Sequence, residues 1–376
     1  MPMIVGVPKE TAPGERRVAL VPDLVPTLTG AGVEVVLEPG AGAAAGYPDS
    51  AYQEKGAHLE PQVLDKADIV LKVQPPNPDQ VARLAEASTL IGLLLPYANG
   101  VGIKALAARR VTSFSMELMP RIARAQSMDV LSAMSTVAGY KAVLLAAAGL
   151  PRFFPMLMTA AGTLTPAHVL VIGAGVAGLQ AIGTARRLGA VVDAYDTRPA
   201  VKEQVESLGA RFVELPLETK DAEDKSGYAR SQSDEFYRKQ QVLMLECVAA
   251  ADVVISTALV PGQRAPVLIS EAMVQAMRPG SVVVDLAAEQ GGNCALTEPG
   301  QEVVRHGVTI MGPTNLPSTM PFHASQMYAR TVTSFLVHLL KGGEVRLELD
   351  DDLTRGPLVT HGGEVVHPAV KAALAL

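Results

Sequence analysis

Apolar residues in this chain gather into short runs of strand length, separated by segments of helical periodicity. Ile4–Val7 is the first such run. A helix is predicted from Pro22-Asp23 toward Gly30, and a strand over residues 33–37. Further strand-length runs fall at 69–73, 91–95 and 111–114, with a helical stretch at 103–108 among them. The pattern then repeats. A strand over 169–172 leads into a helix over 176–188, followed by strands at 191–195, 210–214, 252–257, 281–286 and 308–311. Strands alternating with helices argue for parallel sheets covered on both faces. The fold class expected is α/β, with two Rossmann-like, doubly wound domains. Two longer helical patterns, at 134–149 and 324–340, are expected to join them. The tail 347–376 is expected to return to the first domain. The division predicted is 1–133 plus 341–376 for a discontinuous N-terminal domain, and 134–340 for the second domain with its linker helices.

One stretch breaks the pattern. Residues 216–239 are polar and charged, too long for a buried connection between strand and helix. They read either as a solvated surface loop or as a mobile lid on the ligand side of the sheet.

Composition narrows the function classes. The chain has 376 residues, 48% of them hydrophobic, which suffices for two cores. A formal net charge of -6, with no Trp, gives no attraction to nucleic acid or anionic lipid. Cys247 and Cys294 belong to no Cys-x-x-Cys pair and are expected to be two buried thiols in a reducing compartment. The seven histidines show no metal-ligand spacing, so no metal is assigned. The N-terminus opens directly on a strand-like run and is not expected to be a signal peptide. The most apolar region, 169–185, is broken by glycines, and no transmembrane span is expected.

The chemistry-bearing motif is Gly173-Ala174-Gly175-Val176-Ala177-Gly178. It follows a strand and opens a helix, the setting in which Gly-x-Gly-x-x-Gly binds a dinucleotide. Gly173 allows the turn, Gly175 lets backbone approach a pyrophosphate, and Gly178 lets helix pack on strand. The free N–H groups of the helix N-terminus, starting at Val176, face the phosphates. Asp196 ends the next strand, about 20 residues on, and can accept both hydroxyls of the adenosine ribose. Its charge repels a 2′-phosphate, which favours NAD(H) over NADP(H). Arg198 is open to two readings, a partner for a 2′-phosphate or a surface side chain. Thr197 beside it and Ala258, past the strand at 252–257, complete the expected cofactor contacts.

Other residues carry a resemblance. Arg121-Ile122-Ala123-Arg124-Ala125-Gln126-Ser127-Met128-Asp129-Val130-Leu131-Ser132 resembles the signature loop of the proton-translocating NAD(P) transhydrogenases. Gly6-Val7-Pro8-Lys9-Glu10 and Glu15-Arg16-Arg17 resemble the same group and the related alanine dehydrogenases, as do the segments 280–292 and 312–318. The resemblance spans almost the whole chain. In detail it is to the soluble NAD(H)-binding domain of the α subunit. It implies hydride transfer from NADH to NADP⁺ coupled to proton movement across a membrane. It implies that Arg121, Gln126, Asp129 and Ser132 serve the nicotinamide end, with Gln126 reaching toward the second nucleotide. It also implies that Tyr228 sits on a mobile loop that closes on NAD(H). Without the resemblance, Asp129 and Ser132 read equally as a helix cap, and Arg121 and Gln126 as surface side chains.

The alanine dehydrogenases are the rival reading. Arg17 and Lys72 match two of their catalytic residues, but residues 93–99 hold no histidine, and Glu289 stands where they carry aspartate. Oxidative deamination needs that proton handling, whereas direct hydride transfer needs only two aligned rings and excluded water. A non-catalytic NAD-binding regulatory subunit is the third reading. With one dinucleotide motif and no span, the chain is expected to be a single component. Its expected partners are a membrane-spanning subunit and an NADP(H)-binding subunit. It is expected to be cytoplasmic, held at the inner membrane through those partners, and a homodimer.

Overall fold

The computed structural model describes residues 2–217, 233–259 and 264–375. The chain divides into two units, Met1–Met134 with Pro317–Leu376, and Ser135–Leu316.

Among the described residues, the first unit is built on an eight-stranded sheet. Its order is Glu364–Val365, Leu358–His361, Thr112–Ser115, Thr89–Gly92, Ile69–Leu71, Ile4–Val7, Glu34–Leu37 and His58–Leu59. The six strands from the N-terminal segment pair in parallel, with the order reversing at Ile4–Val7. The tail strand Leu358–His361 adds antiparallel to Thr112–Ser115, and Glu364–Val365 adds antiparallel to it.

The helix Pro321–Leu339 lies in this unit, whereas the sequence reading put 317–340 in the second domain. Its apolar stripe explains the difference. The Phe335 ring meets Phe114 edge-on at 5.1 Å, and the Tyr328 hydroxyl donates to the Lys72 carbonyl at 2.6 Å. Ser325 Oγ accepts from the Val18 N–H at 3.0 Å. Helical periodicity shows that an apolar face exists, but not which sheet it covers.

The second unit carries a seven-stranded sheet among its described residues. The order is Arg211–Phe212, Val191–Tyr195, His168–Ile172, Val253–Ser256, Val282–Asp285, Val308–Met311 and Glu302–Arg305. All pairs are parallel except the last. Counted in sequence, the parallel strands run 3-2-1-4-5-6, the doubly wound order that reverses between the first and fourth. The central strands are mostly β-branched or aliphatic because both faces are covered. Val169 and Val171 pack with Ala142, Ala146, Ala181 and Ile182 on one side. Leu170 and Ile172 pack with Met244, Val248 and Val254 on the other. The two-residue alternation of strand side chains produces this split.

Two expectations need adjustment. The polar stretch 216–239 is not loop throughout: a helix Asp234–Ala250 begins inside it, with Ser233 Oγ accepting the Phe236 N–H at 3.2 Å. The other long helix is Val130–Gly149, and the boundary between the units falls within it. It is long and apolar enough to cross a membrane, with a mean hydropathy of 1.5, a property that core helices share. Here Ala142, Val143 and Ala146 have no exposure and lie in the core of the second unit. A Cβ on Gly139 would stand 2.1 Å from the Ala177 carbonyl oxygen, so only glycine lets this helix lie against the start of Val176–Arg187.

Candidate functional site

The strand order of the second unit reverses between His168–Ile172 and Val253–Ser256, and at such a point the strands' carboxyl ends leave a crevice for a ligand. The glycine turn stands there. Gly173 has φ +97°, a left-handed conformation that glycine adopts without strain. A Cβ on it would also meet Thr257 Oγ1 at 2.6 Å. Gly178 is still tighter, since a Cβ there would stand 1.8 Å from the Gly173 carbonyl oxygen. Gly175 is different in kind. A Cβ on it would have nothing within 4 Å, and its backbone, at φ −78° and ψ −168°, suits any residue. No fold constraint therefore demands glycine at 175. The open space over it suits a group that approaches the backbone closely.

Helix Val176–Arg187 begins at that opening with no side-chain cap on its N-terminus. Its first N–H groups thus remain for an anion, with the helix dipole adding to their pull. The residues fit a dinucleotide pyrophosphate: an uncapped helix start, and a cradle that a side chain would fill.

Asp196 lies across the turn. Its Oδ2 accepts the Ala174 N–H at 2.7 Å, and its Oδ1 accepts the Arg198 N–H at 2.8 Å. The Arg198 side chain then closes on it twice, Nε on Oδ1 at 2.9 Å and Nη2 on Oδ2 at 2.8 Å. Of the two readings of Arg198, neither a surface side chain nor a waiting phosphate partner describes this arrangement: it is paired with the acid. Thr197 is half-buried between them.

The strand after the switch point is fixed to the turn through Thr257, whose hydroxyl donates to the Gly173 carbonyl at 3.0 Å. Ala258 follows, and a residue that sequence reasoning missed holds it. Asn293 is fully buried, accepts the Ala258 N–H at 3.0 Å, and donates Nδ2 to the Ala258 and Pro266 carbonyls at 2.9 Å each. Buried Asp285 organises the loop that carries Asn293. It accepts from Ser256 Oγ, Thr297 Oγ1 and the N–H groups of Ala287 and Cys294. The partners lie far along the chain, so no local motif signals this. The one available signal was the mostly apolar Asp285-Leu286-Ala287-Ala288 run, with Asn293 five residues beyond it.

The candidate residues of the first unit are placed as follows. Asp129 precedes helix Val130–Gly149. Its Oδ1 accepts the Ser132 N–H at 2.9 Å and its Oδ2 accepts the Ser132 hydroxyl at 2.6 Å, so both residues act locally as a helix cap. Arg121 and Gln126 are exposed, Gln126 on the 3-10 turn Ala123–Met128. Tyr228 lies outside the described residues.

Arg17 and Lys72 are both buried and both paired. Arg17 Nη2 and Nε donate to Glu15 at 2.6 and 2.8 Å, and Gln74 Nε2 adds a bond to the same carboxylate at 2.9 Å. Lys72 Nζ donates to Glu10 Oε2 at 3.1 Å. Burial pushes the Glu10 carboxyl up, against the downward pull of Lys72. Glu289 accepts the Asn315 N–H at 2.8 Å, which ties down a loop residue at φ +45°. Cys247 and Cys294 are free thiols, as expected, and burial pushes Cys294 up to about 11. Cys247 is only partly buried.

Comparison with known proteins finds matches over nearly the whole chain. The profile described as Alanine dehydrogenase/PNT, N-terminal domain matches residues 6–138, and that of Alanine dehydrogenase/PNT, C-terminal domain matches 142–368. The chain is 49% identical to an NAD(P) transhydrogenase subunit alpha polypeptide of Rhodospirillum rubrum, over 98% of this chain and 99% of that one. The solved transhydrogenase of Sinorhizobium meliloti superposes with a TM-score of 0.89 at 44% identity, covering 96% of this chain and 100% of that one. A solved L-alanine dehydrogenase superposes at 0.84 with 28% identity, covering 99% of each. Both domain profiles are matched in order and the identity runs higher on the transhydrogenase side, so the chain belongs to the alanine dehydrogenase/PNT family of oxidoreductases and is similar, within it, to NAD(P) transhydrogenase α subunits.

Proposed function

We propose that this chain is the NAD(H)-binding component of a proton-translocating transhydrogenase, giving hydride from NADH directly to NADP⁺ held by a partner domain. The observation that carries the reading is the opening at Gly175. It is a glycine that the fold does not require, before an uncapped helix start, on a turn that Asp196 hydrogen-bonds through Ala174. Gly173, Gly175, Val176 and Gly178 would cradle the pyrophosphate. Asp196 and Thr197 would meet the adenosine ribose, with Arg198 beside them on Asp196, and Ala258, fixed by Asn293, would line the crevice. By the family resemblance, Arg121, Gln126, Asp129 and Ser132 serve the nicotinamide end, and Tyr228 closes on the nucleotide.

Such a transfer moves a hydride between two rings and needs no acid or base at the site, only alignment and excluded water. The titratable residues support this over amino-acid oxidation. Arg17 and Lys72, which a dehydrogenase would need for its substrate, are already neutralised by Glu15 and Glu10. Residues 93–99 contain no histidine.

We further propose that the NADP(H) site and the proton path lie on partner subunits that hold this chain at the inner membrane. We also propose that the chain is a homodimer. The apolar hairpin of Leu157–Thr159 and Gly162–Leu164 supports the dimer, since Met158 is 78% exposed there.

The test combines Gln126→Asn with NADH titration and a transfer assay that includes the partner domain. The variant is expected to bind NADH nearly as the parent does and to transfer poorly. Equal loss of both would show that the loop serves binding alone. Oxidation of L-alanine by NAD⁺ with this chain alone would favour the dehydrogenase reading.

A further inference from the structure

Asp196 is a carboxylate with about four acceptor positions, two on each oxygen. All four are engaged here. Two bonds come from backbone N–H groups, those of Ala174 on Oδ2 and Arg198 on Oδ1. Two come from one guanidinium, Nη2 on Oδ2 and Nε on Oδ1. The backbone bonds belong to the turn and stay with it. The guanidinium bonds sit one on each oxygen, side by side, which is the pattern two vicinal hydroxyls would make. The side chains are nearly dry, 12% exposed for Arg198 and 4% for Asp196, so the pair is held more firmly than an exposed one.

We propose that the Arg198 guanidinium competes with the adenosine ribose diol for the same two positions on Asp196, and so sets how tightly the chain holds the dinucleotide. The inference rests on the NAD(H) reading above. The diol gains its two bonds only when Arg198 swings away, and the apparent affinity falls by the fraction of time the acid is free. Weak holding of this kind suits a chain whose nucleotide must leave after each transfer. Arg198 is a positioning residue in this account: it acts through Asp196 and touches no reacting atom.

Removing the competitor should therefore tighten binding, the opposite of what deleting a ligand-contacting arginine does. The experiment titrates the full chain with NADH and with ADP-ribose, which carries the adenosine ribose and no nicotinamide. Arg198→Met is expected to tighten both by about fivefold or more, the scale of one charge-assisted hydrogen bond. Arg198→Lys has a single compact donor group without the two-pronged fork and is expected to fall between. In an Asp196→Asn background, where the ionic clasp is gone, adding Arg198→Met is expected to give little or no tightening. Equal or weaker binding by Arg198→Met overturns the proposal, as does the same tightening in the Asp196→Asn background. Folding of each variant is checked by its thermal midpoint. If the folded parent chain binds neither probe, the NAD(H) reading itself fails. If the parent binds both and Arg198→Met does not tighten them, only the competition fails.

Discussion

Gly175 and Gly178 stand three residues apart in one turn and answer to different demands. Gly178 has no room for a methyl group, with a backbone oxygen 1.8 Å from its Cβ position, so Gly178→Ala should lower stability by about 1–3 kcal/mol or more. Gly175 has open space, so Gly175→Ala should leave the thermal midpoint unchanged and weaken NADH binding about tenfold or more, by keeping the pyrophosphate off the backbone donors. Calorimetry with NADH titration on both variants separates the two roles; a Gly175→Ala chain that binds normally would remove the pyrophosphate from this turn. Asn293→Ala leaves the Ala258 N–H and the Ala258 and Pro266 carbonyls without their partner. It should destabilise the chain by roughly 1–3 kcal/mol per stranded group, read from its denaturant midpoint. At this scale the glycines and Asp196 were legible, because they stand at fixed spacing in one strand–turn–helix–strand motif. The clasp of Arg198 on Asp196 and the hold of Asn293 on Ala258 were not. The first left two readings open, and the second joins residues from different strands' loops.

Among elements, most of the buried parallel strands were readable because they are short runs rich in Val, Ile and Leu. The edge strand Glu302–Arg305 and the tail hairpin of Leu358–His361 and Glu364–Val365 were not readable. They are short and half-polar, and their pairing is set by a distant partner. The helix Val130–Gly149 was legible as a helix, but its close crossing on Ala177 at Gly139 was not. Gly139→Ala should force the two helices apart and lower the thermal midpoint; an unchanged midpoint would contradict the crossing. The C-terminal helix Pro368–Ala373 carries a pH dependence. His367 caps it, Nδ1 accepting the Val370 N–H at 3.3 Å, and burial holds the His367 pKa below its ordinary value of 6.5. The folded state thus prefers the neutral ring. Above the ordinary value the cap is fully present, and stability is lost as pH falls through that value toward the folded one. Thermal midpoints across pH 7 to 5 should show the parent losing more stability than His367→Asn, which keeps an acceptor and does not titrate. Parallel curves would remove the assignment.

At the scale of the whole molecule, two doubly wound units with family-wide similarity explain why sequence reading reached the fold class, and why the discontinuous first unit was harder to delimit. Its last long helix, Pro321–Leu339, reveals its allegiance only through Phe335 against Phe114 and Tyr328 against Lys72. Within the fold Arg17 is paired with Glu15 and Lys72 with Glu10. The most direct test of the account is deuteride transfer. The purified chain is mixed with an NADP(H)-binding transhydrogenase domain, NADH deuterated at the transferable C4 position, and NADP⁺. The account predicts NADPH that carries the deuterium without loss to water, and no such product when either protein is omitted. Absence of labelled NADPH with a partner domain proven active, or loss of the label to solvent, would contradict it.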